Sequence, residues 1–109
     1  MLAFPCDQFG HEESKRHRDI VNYARERGAT FPIFGTIRVN GKSEHELYNW
    51  LKTSGAYGHH DIIWNFEKFI LYKGKPIYRF PTNTPSNQLQ KFITPLVRAA
   101  EQQARRSEL

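Results

Sequence analysis

The chain has a single cysteine, Cys6, and a single methionine among its 109 residues. One thiol cannot close an intramolecular disulfide, so a stapled secreted scaffold is excluded and a reducing compartment, the cytoplasm, is expected. No stretch approaches the roughly 20 consecutive apolar residues that cross a bilayer as a helix. The opening Met-Leu-Ala-Phe-Pro carries neither the charged lead nor the apolar core of a signal peptide. It reads instead as a buried strand beginning at the first residue. Zinc-finger spacings and aromatic-glycine RNA motifs are missing, which argues against a nucleic-acid module. Adjacent His59 and His60 are the best metal candidates, but neighbours on a strand point to opposite faces. No acidic or cysteine ligand joins them at a zinc spacing, so no metal is expected.

What the chain does have is aromatic bulk and positive charge. Eight Phe, five Tyr and two Trp supply a core for one small domain. The formal net charge is +5, with a dense run at Lys15-Arg16-His17-Arg18 and a pair at Arg105-Arg106. Such runs are first of all solvated helix faces; beyond that they suit an anionic small molecule or an anionic lipid surface.

The hydropathy pattern predicts a strand over residues 1–4, ended by Pro5, then a helix over 14–27 ended by Gly28. Residues 31–39 are extended, and Asn40-Gly41 turns the chain. Ser43-Glu44-His45-Glu46 has the spacing of a capping box, which predicts a helix to about Thr53. Residues 62–72 read as a strand, Lys73-Gly74-Lys75-Pro76 as a turn, and 77–80 as the returning strand of a hairpin. Ser86 is placed to cap a last helix. Its Leu89, Phe92, Ile93, Leu96, Val97 and Ala100 follow the i, i+3, i+4 rule, Pro95 is expected to kink it, and fraying is expected after Glu101. The order is α/β, one domain over residues 1–100 with a polar tail over 101–109.

Two segments carry chemistry. Leu2-Ala3-Phe4-Pro5-Cys6-Asp7-Gln8-Phe9-Gly10 and Trp64-Asn65-Phe66-Glu67-Lys68-Phe69 each put uncharged polar groups beside a buried strand. Gln8 and Asn65 offer amides, and Trp64 offers one indole N–H. By spacing alone these groups could equally cap loops and fill the core.

The first segment closely resembles the glutathione peroxidase motif Leu-Ala-Phe-Pro-Cys-Asn-Gln-Phe-Gly, and the second matches that family's Trp-Asn-Phe-Glu-Lys-Phe. Phe31-Pro32-Ile33-Phe34, Val39-Asn40-Gly41, the Leu47-Tyr48 to Leu51-Lys52 helix and Tyr78-Arg79-Phe80-Pro81-Thr82 fall in the family's order between and after them. The resemblance implies a thioredoxin-like fold without its first strand–helix unit. It also implies reduction of hydrogen peroxide or organic and lipid hydroperoxides by glutathione or another thiol, under oxidative stress and without a bound cofactor. The family's tetrad of Cys or selenocysteine, Gln, Trp and Asn maps onto Gln8, Trp64 and Asn65. Its peroxidatic residue belongs to a strand–turn–helix ahead of the first motif, so this chain alone is expected to be inactive. Cys6 matches the motif cysteine and is expected to be a buried, inert thiol.

Three departures bear on that expectation. Asp7 stands where the family has Asn and would disfavour a nearby thiolate. Ser14-Lys15 replaces Pro-Gly. Ala24 occupies the position of the resolving cysteine of thioredoxin-dependent members. The short connection over residues 54–63 resembles the monomeric, phospholipid-hydroperoxide type. Without the first βα unit, a gap is expected between residues 2–4 and the 62–72 strand. The monomer should then be destabilised unless the strands close the gap or associate with another chain. The remaining alternatives are a non-catalytic short form and a small basic interaction module.

Overall fold

A computed structural model describes residues 1–10, 16–55 and 59–107. The elements are α1 (His17–Glu26), α2 (Glu46–Thr53), β1 (Lys68–Tyr72), β2 (Lys75–Phe80), a 3-10 turn (Ser86–Leu89) and α3 (Gln90–Ser107). The Ser14-Lys15 start expected for α1 lies outside the described residues.

Helix α1 buries one side chain, Ile20. It closes as a Schellman motif: Ala29 N–H donates to the Ala24 carbonyl at 3.1 Å and Gly28 N–H to that of Arg25 at 3.0 Å. Gly28 sits at φ +92°, where a side chain would be strained. The Arg25 guanidinium then donates to the Ala29 and Phe31 carbonyls at 3.0 and 2.8 Å, aiming the chain into residues 31–39.

Residues 1–4 and 31–39 make less sheet than expected. They share one isolated parallel bridge, Ala3 to Ile33. Ala3 N–H donates to Pro32, Phe34 N–H to Ala3, and Ile37 N–H to Pro5, at 2.9–3.0 Å. Pro5 and Pro32 have no N–H to return, so the ladder stops at a bridge.

Helix α2 begins at Glu46, but the Ser43–Glu46 capping box does not form. His45 is the N-cap, its Nδ1 accepting from Leu47 N–H at 3.0 Å. His45 N–H is held by the Arg38 carbonyl at 2.8 Å, which moves the helix start past Ser43. Glu44, not Glu46, carries the working carboxylate: it accepts from Asn49 Nδ2 at 2.7 Å and from Lys52.

The hairpin forms, with shifted limits. Residues 62–67 are irregular and β1 starts only at Lys68. Phe66 has φ +64°, which no strand tolerates. Lys73 (φ +51°) and Gly74 (φ +76°) make a two-residue turn with both φ positive, the hand that matches strand twist. Lys75 and Pro76 therefore belong to β2, and the register slips between Ile70 and Leu71, leaving Ile77 as the extra residue.

Helix α3 runs without interruption through Pro95 to Ser107, correcting the expected fraying. The Ala, Arg, Gln and Glu of this stretch are all good helix formers, so polarity alone was a poor stop signal. Ser86 makes no side-chain cap and instead opens the 3-10 turn. Phe92 anchors α3 on β2, its ring 5.0 Å from Tyr78 and 5.1 Å from Phe80.

The core centres on Cys6, Phe9, Val39 and Ile62, with Ile37, Tyr48 and Phe69 against it. Among the described residues no backbone hydrogen bond joins residues 2–4 to β1. Side chains span that interval: Phe34, Phe4, Tyr48 and Phe69 form a continuous file of rings with centroids 4.8, 6.0 and 6.0 Å apart. The radius of gyration is 15.7 Å, against roughly 13 Å for a compact domain of this length. Helix α3 buries no side chain fully.

Candidate active site

The site is built on a backbone hub at Val39-Asn40. Gln8 lies in a turn just after Cys6 and reaches across to this hub. Its Oε1 accepts from Val39 N–H at 2.7 Å and Asn40 N–H at 3.2 Å, while its Nε2 donates to the Asn40 carbonyl at 3.0 Å. The Cys6 thiol donates to the same Oε1 at 3.4 Å. The amide is thus held rigidly with one N–H hydrogen to spare.

The Asn40 side chain holds the other half of the site. Its Oδ1 accepts from Ile62 N–H at 2.8 Å and its Nδ2 donates to the Ile62 carbonyl at 2.7 Å. Two residues on, Trp64 and Asn65 occupy a turn whose carbonyls are tied down in sequence. The Thr82 hydroxyl donates to the Asn65 carbonyl. Lys68 Nζ donates to the Phe66 carbonyl at 2.7 Å. Arg79 donates to the His60 and Asp61 carbonyls at 3.0 and 3.3 Å and to Glu67 at 2.7 Å.

Between these halves is a small cleft of about 50 Å³, lined by Cys6, Tyr48, Ile62, Trp64, Asn65 and Glu67 among others. The Trp64 ring rests 6.0 Å from that of Phe9 and is 49% exposed. The Trp64 indole N–H and the Asn65 side-chain amide belong to residues that line this cleft, and neither group makes a hydrogen bond among the described residues. The structure brings Trp64 and Asn65 together with Cys6; Gln8 is hydrogen-bonded to Cys6 but faces the hub rather than lining the cleft.

Two groups shape the electrostatics. Burial, with the neighbouring Cys6 and Glu67 adding to it, pushes the Tyr48 phenol up to about 12, so it stays protonated. Lys52 is 5% exposed. Its ammonium donates to the Val39 carbonyl at 2.8 Å, pairs with Glu44, and lies 3.8 Å from Asp61. A cation is thereby fixed on the hub that Gln8 grips. Asp7 makes no hydrogen bond or ion pair among the described residues.

Sequence reasoning missed Asn40, Lys52 and Arg79. Asn40 was legible only as a turn residue beside Gly41. Lys52 sits on a helix face that reads as solvated. Arg79 gave a weak hint, a charge inside an otherwise apolar strand.

The family model described as glutathione peroxidase matches residues 1–52. The chain is 42% identical over 102 residues to phospholipid hydroperoxide glutathione peroxidase 1, chloroplastic, of Arabidopsis thaliana, covering 91% of this chain and 43% of that one. It is 39% identical over 105 residues to glutathione peroxidase-like peroxiredoxin HYR1 of Saccharomyces cerevisiae, covering 93% and 64%. A crystal structure of Trgpx in apo form superposes with a TM-score of 0.68 at 36% identity, covering 89% of this chain and 56% of that one. T. cruzi GPX1 follows at 0.64 and 35%, covering 87% and 57%. The chain spans roughly half the length of those solved structures, and over that span its fold is the α/β, thioredoxin-like one of these peroxidases. With its motifs collinear and its architecture superposable on theirs, the chain belongs to the glutathione peroxidase family.

Proposed function

We propose that this chain forms the hydrogen-bonding half of a thiol-dependent hydroperoxide reductase, with Trp64 and Asn65 at the cleft and Gln8 behind Cys6 serving a chalcogen carried by another stretch of polypeptide. The observation that carries this reading is the pair of unpartnered donors, Trp64 and Asn65, at one cleft beside the Cys6–Gln8 bond.

In this reading a cysteine or selenocysteine anion attacks the terminal oxygen of the hydroperoxide. A chalcogen–oxygen bond forms, the O–O bond breaks, and the alcohol leaves with a proton. The resulting sulfenic or selenenic acid is reduced by one thiol, releasing water and forming a mixed disulfide or selenyl sulfide. A second thiol then restores the chalcogen and departs as disulfide. The donors stabilise the attacking anion and the developing alkoxide. Cys6, buried and donating to Gln8, is a structural thiol in this scheme.

The rim favours bulky apolar substrates. Ile63 and Phe66 are 78% and 81% exposed beside Trp64, and with the +5 net charge they suit hydroperoxides presented on an anionic lipid surface. A coupled assay with glutathione and cumene hydroperoxide tests the reading. The chain alone should give no turnover beyond that of its Cys6→Ser variant. Joined to the part of the yeast relative outside the matched span, it should turn over. Turnover by the chain alone that vanishes in Cys6→Ser would contradict the assignment of Cys6.

A further inference from the structure

We infer that Asn40 is a positioning residue that couples the two halves of the candidate site, setting the place of Trp64-Asn65 relative to Gln8. The inference rests on the proposed roles of those three side chains, but its test does not depend on turnover.

Among the described residues, Asn40 is the one that bonds to both halves. Its main chain exchanges two hydrogen bonds with the Gln8 amide, through N–H at 3.2 Å and carbonyl at 3.0 Å. Its side chain exchanges two more with the Ile62 main chain, at 2.7 and 2.8 Å. The Asn40 amide thus imitates a strand partner for Ile62, supplying one donor and one acceptor where residues 62–67 have no ladder of their own. Ile62 is itself in the core with Cys6, Phe9 and Val39, so its carbonyl and N–H could not be left bare without cost. The far side of the hub is fixed independently: the Lys52 ammonium holds the Val39 carbonyl at 2.8 Å. A displacement of Asn40 must therefore move Ile62, and with it the turn carrying Trp64, rather than being absorbed by the hub.

Only Asn meets these demands. Ala removes both bonds. Asp is isosteric, but at neutral pH its carboxylate would face the Ile62 carbonyl with no hydrogen to donate. A residue that merely filled space would tolerate Asp; a two-point clamp would not.

The test uses Trp64 as reporter in a Trp50→Phe background, which leaves one indole in the chain. Acrylamide quenching and emission wavelength are read on the folded protein, with far-UV circular dichroism as control. Asn40→Ala and Asn40→Asp should both raise the quenching constant, toward a ceiling of about twofold because the ring is already 49% exposed. Leu89→Ala deletes a buried side chain in the 3-10 turn, away from the hub, and should leave the Trp64 signal where it is. Should Asn40→Asp match the parent, or Leu89→Ala shift the signal equally, the inference fails. If Trp64 responds as expected while the joined protein shows no peroxidase turnover, the clamp stands and the functional reading falls.

Discussion

Arg79 and Glu67 pair across the hairpin with Nε to Oε1 at 2.7 Å, their side chains only 4% and 9% exposed. The guanidinium also lies 5.3 Å from the Phe69 ring centre and donates to the His60 and Asp61 carbonyls. One side chain on β2 therefore fixes both flanks of the turn that carries Trp64 and Asn65. Removing one member leaves a buried charge without its partner, which costs more than the pair contributes. Arg79→Met should lower unfolding free energy by about 3–5 kcal/mol in urea titrations. The double change Arg79→Met, Glu67→Met should recover a large part of that loss.

Stability should also fall in acid, for a local reason. Hydrogen bonds from Asn49 and then Lys52 hold the Glu44 carboxyl below its ordinary range, against the opposing effect of burial. A depressed folded-state pKa gives stability that is fully present above the unfolded value, roughly 4.3, and is lost as pH drops through the folded one. Thermal melts should show this decline below about pH 4. Glu44→Gln should flatten that part of the profile, and an unchanged slope in the variant would assign the acid sensitivity elsewhere.

Phe66 combines a left-handed backbone, φ +64°, with an 81% exposed ring. Nothing packs on the ring to offset the backbone cost of about 1–2 kcal/mol. Phe66→Gly should therefore raise stability by roughly 1 kcal/mol, read as a higher urea midpoint at unchanged slope. If the ring serves the lipid-facing rim, the same variant should bind less to anionic vesicles at low salt.

The sequence made some of this plain and hid the rest. Leu89 to Ala100 at helical spacing announced α3, and Lys73-Gly74-Lys75-Pro76 announced the hairpin turn, though two residues too long, because both signals are local. The capping box at Ser43 misled because spacing cannot see the Arg38 carbonyl capturing His45 N–H. Aromatic and β-branched content over residues 62–67 mimicked a strand, yet a positive φ at Phe66 and the Asn40 clamp at Ile62 make it a turn. Gln8, Trp64 and Asn65 were marked by their motifs. Their shared anchor, Asn40, was not, since it joins residues 22 and 32 positions away in the chain.

If Trp64 and Asn65 at this cleft, with Gln8 behind them, serve a chalcogen from elsewhere, supplying that chalcogen restores turnover. Steady-state reduction of cumene hydroperoxide by glutathione, in the chain joined to the part of the yeast relative outside the matched span, measures this directly. Trp64→Phe and Asn65→Ala should each cut kcat/KM by about 10²-fold, the range for loss of one preorganised donor. Gln8→Glu keeps the acceptor for Val39 and Asn40 N–H but sets a carboxylate oxygen against the Asn40 carbonyl, so it should lose both activity and some stability, read by assay and by urea midpoint. Full turnover with all three side chains replaced would contradict the account.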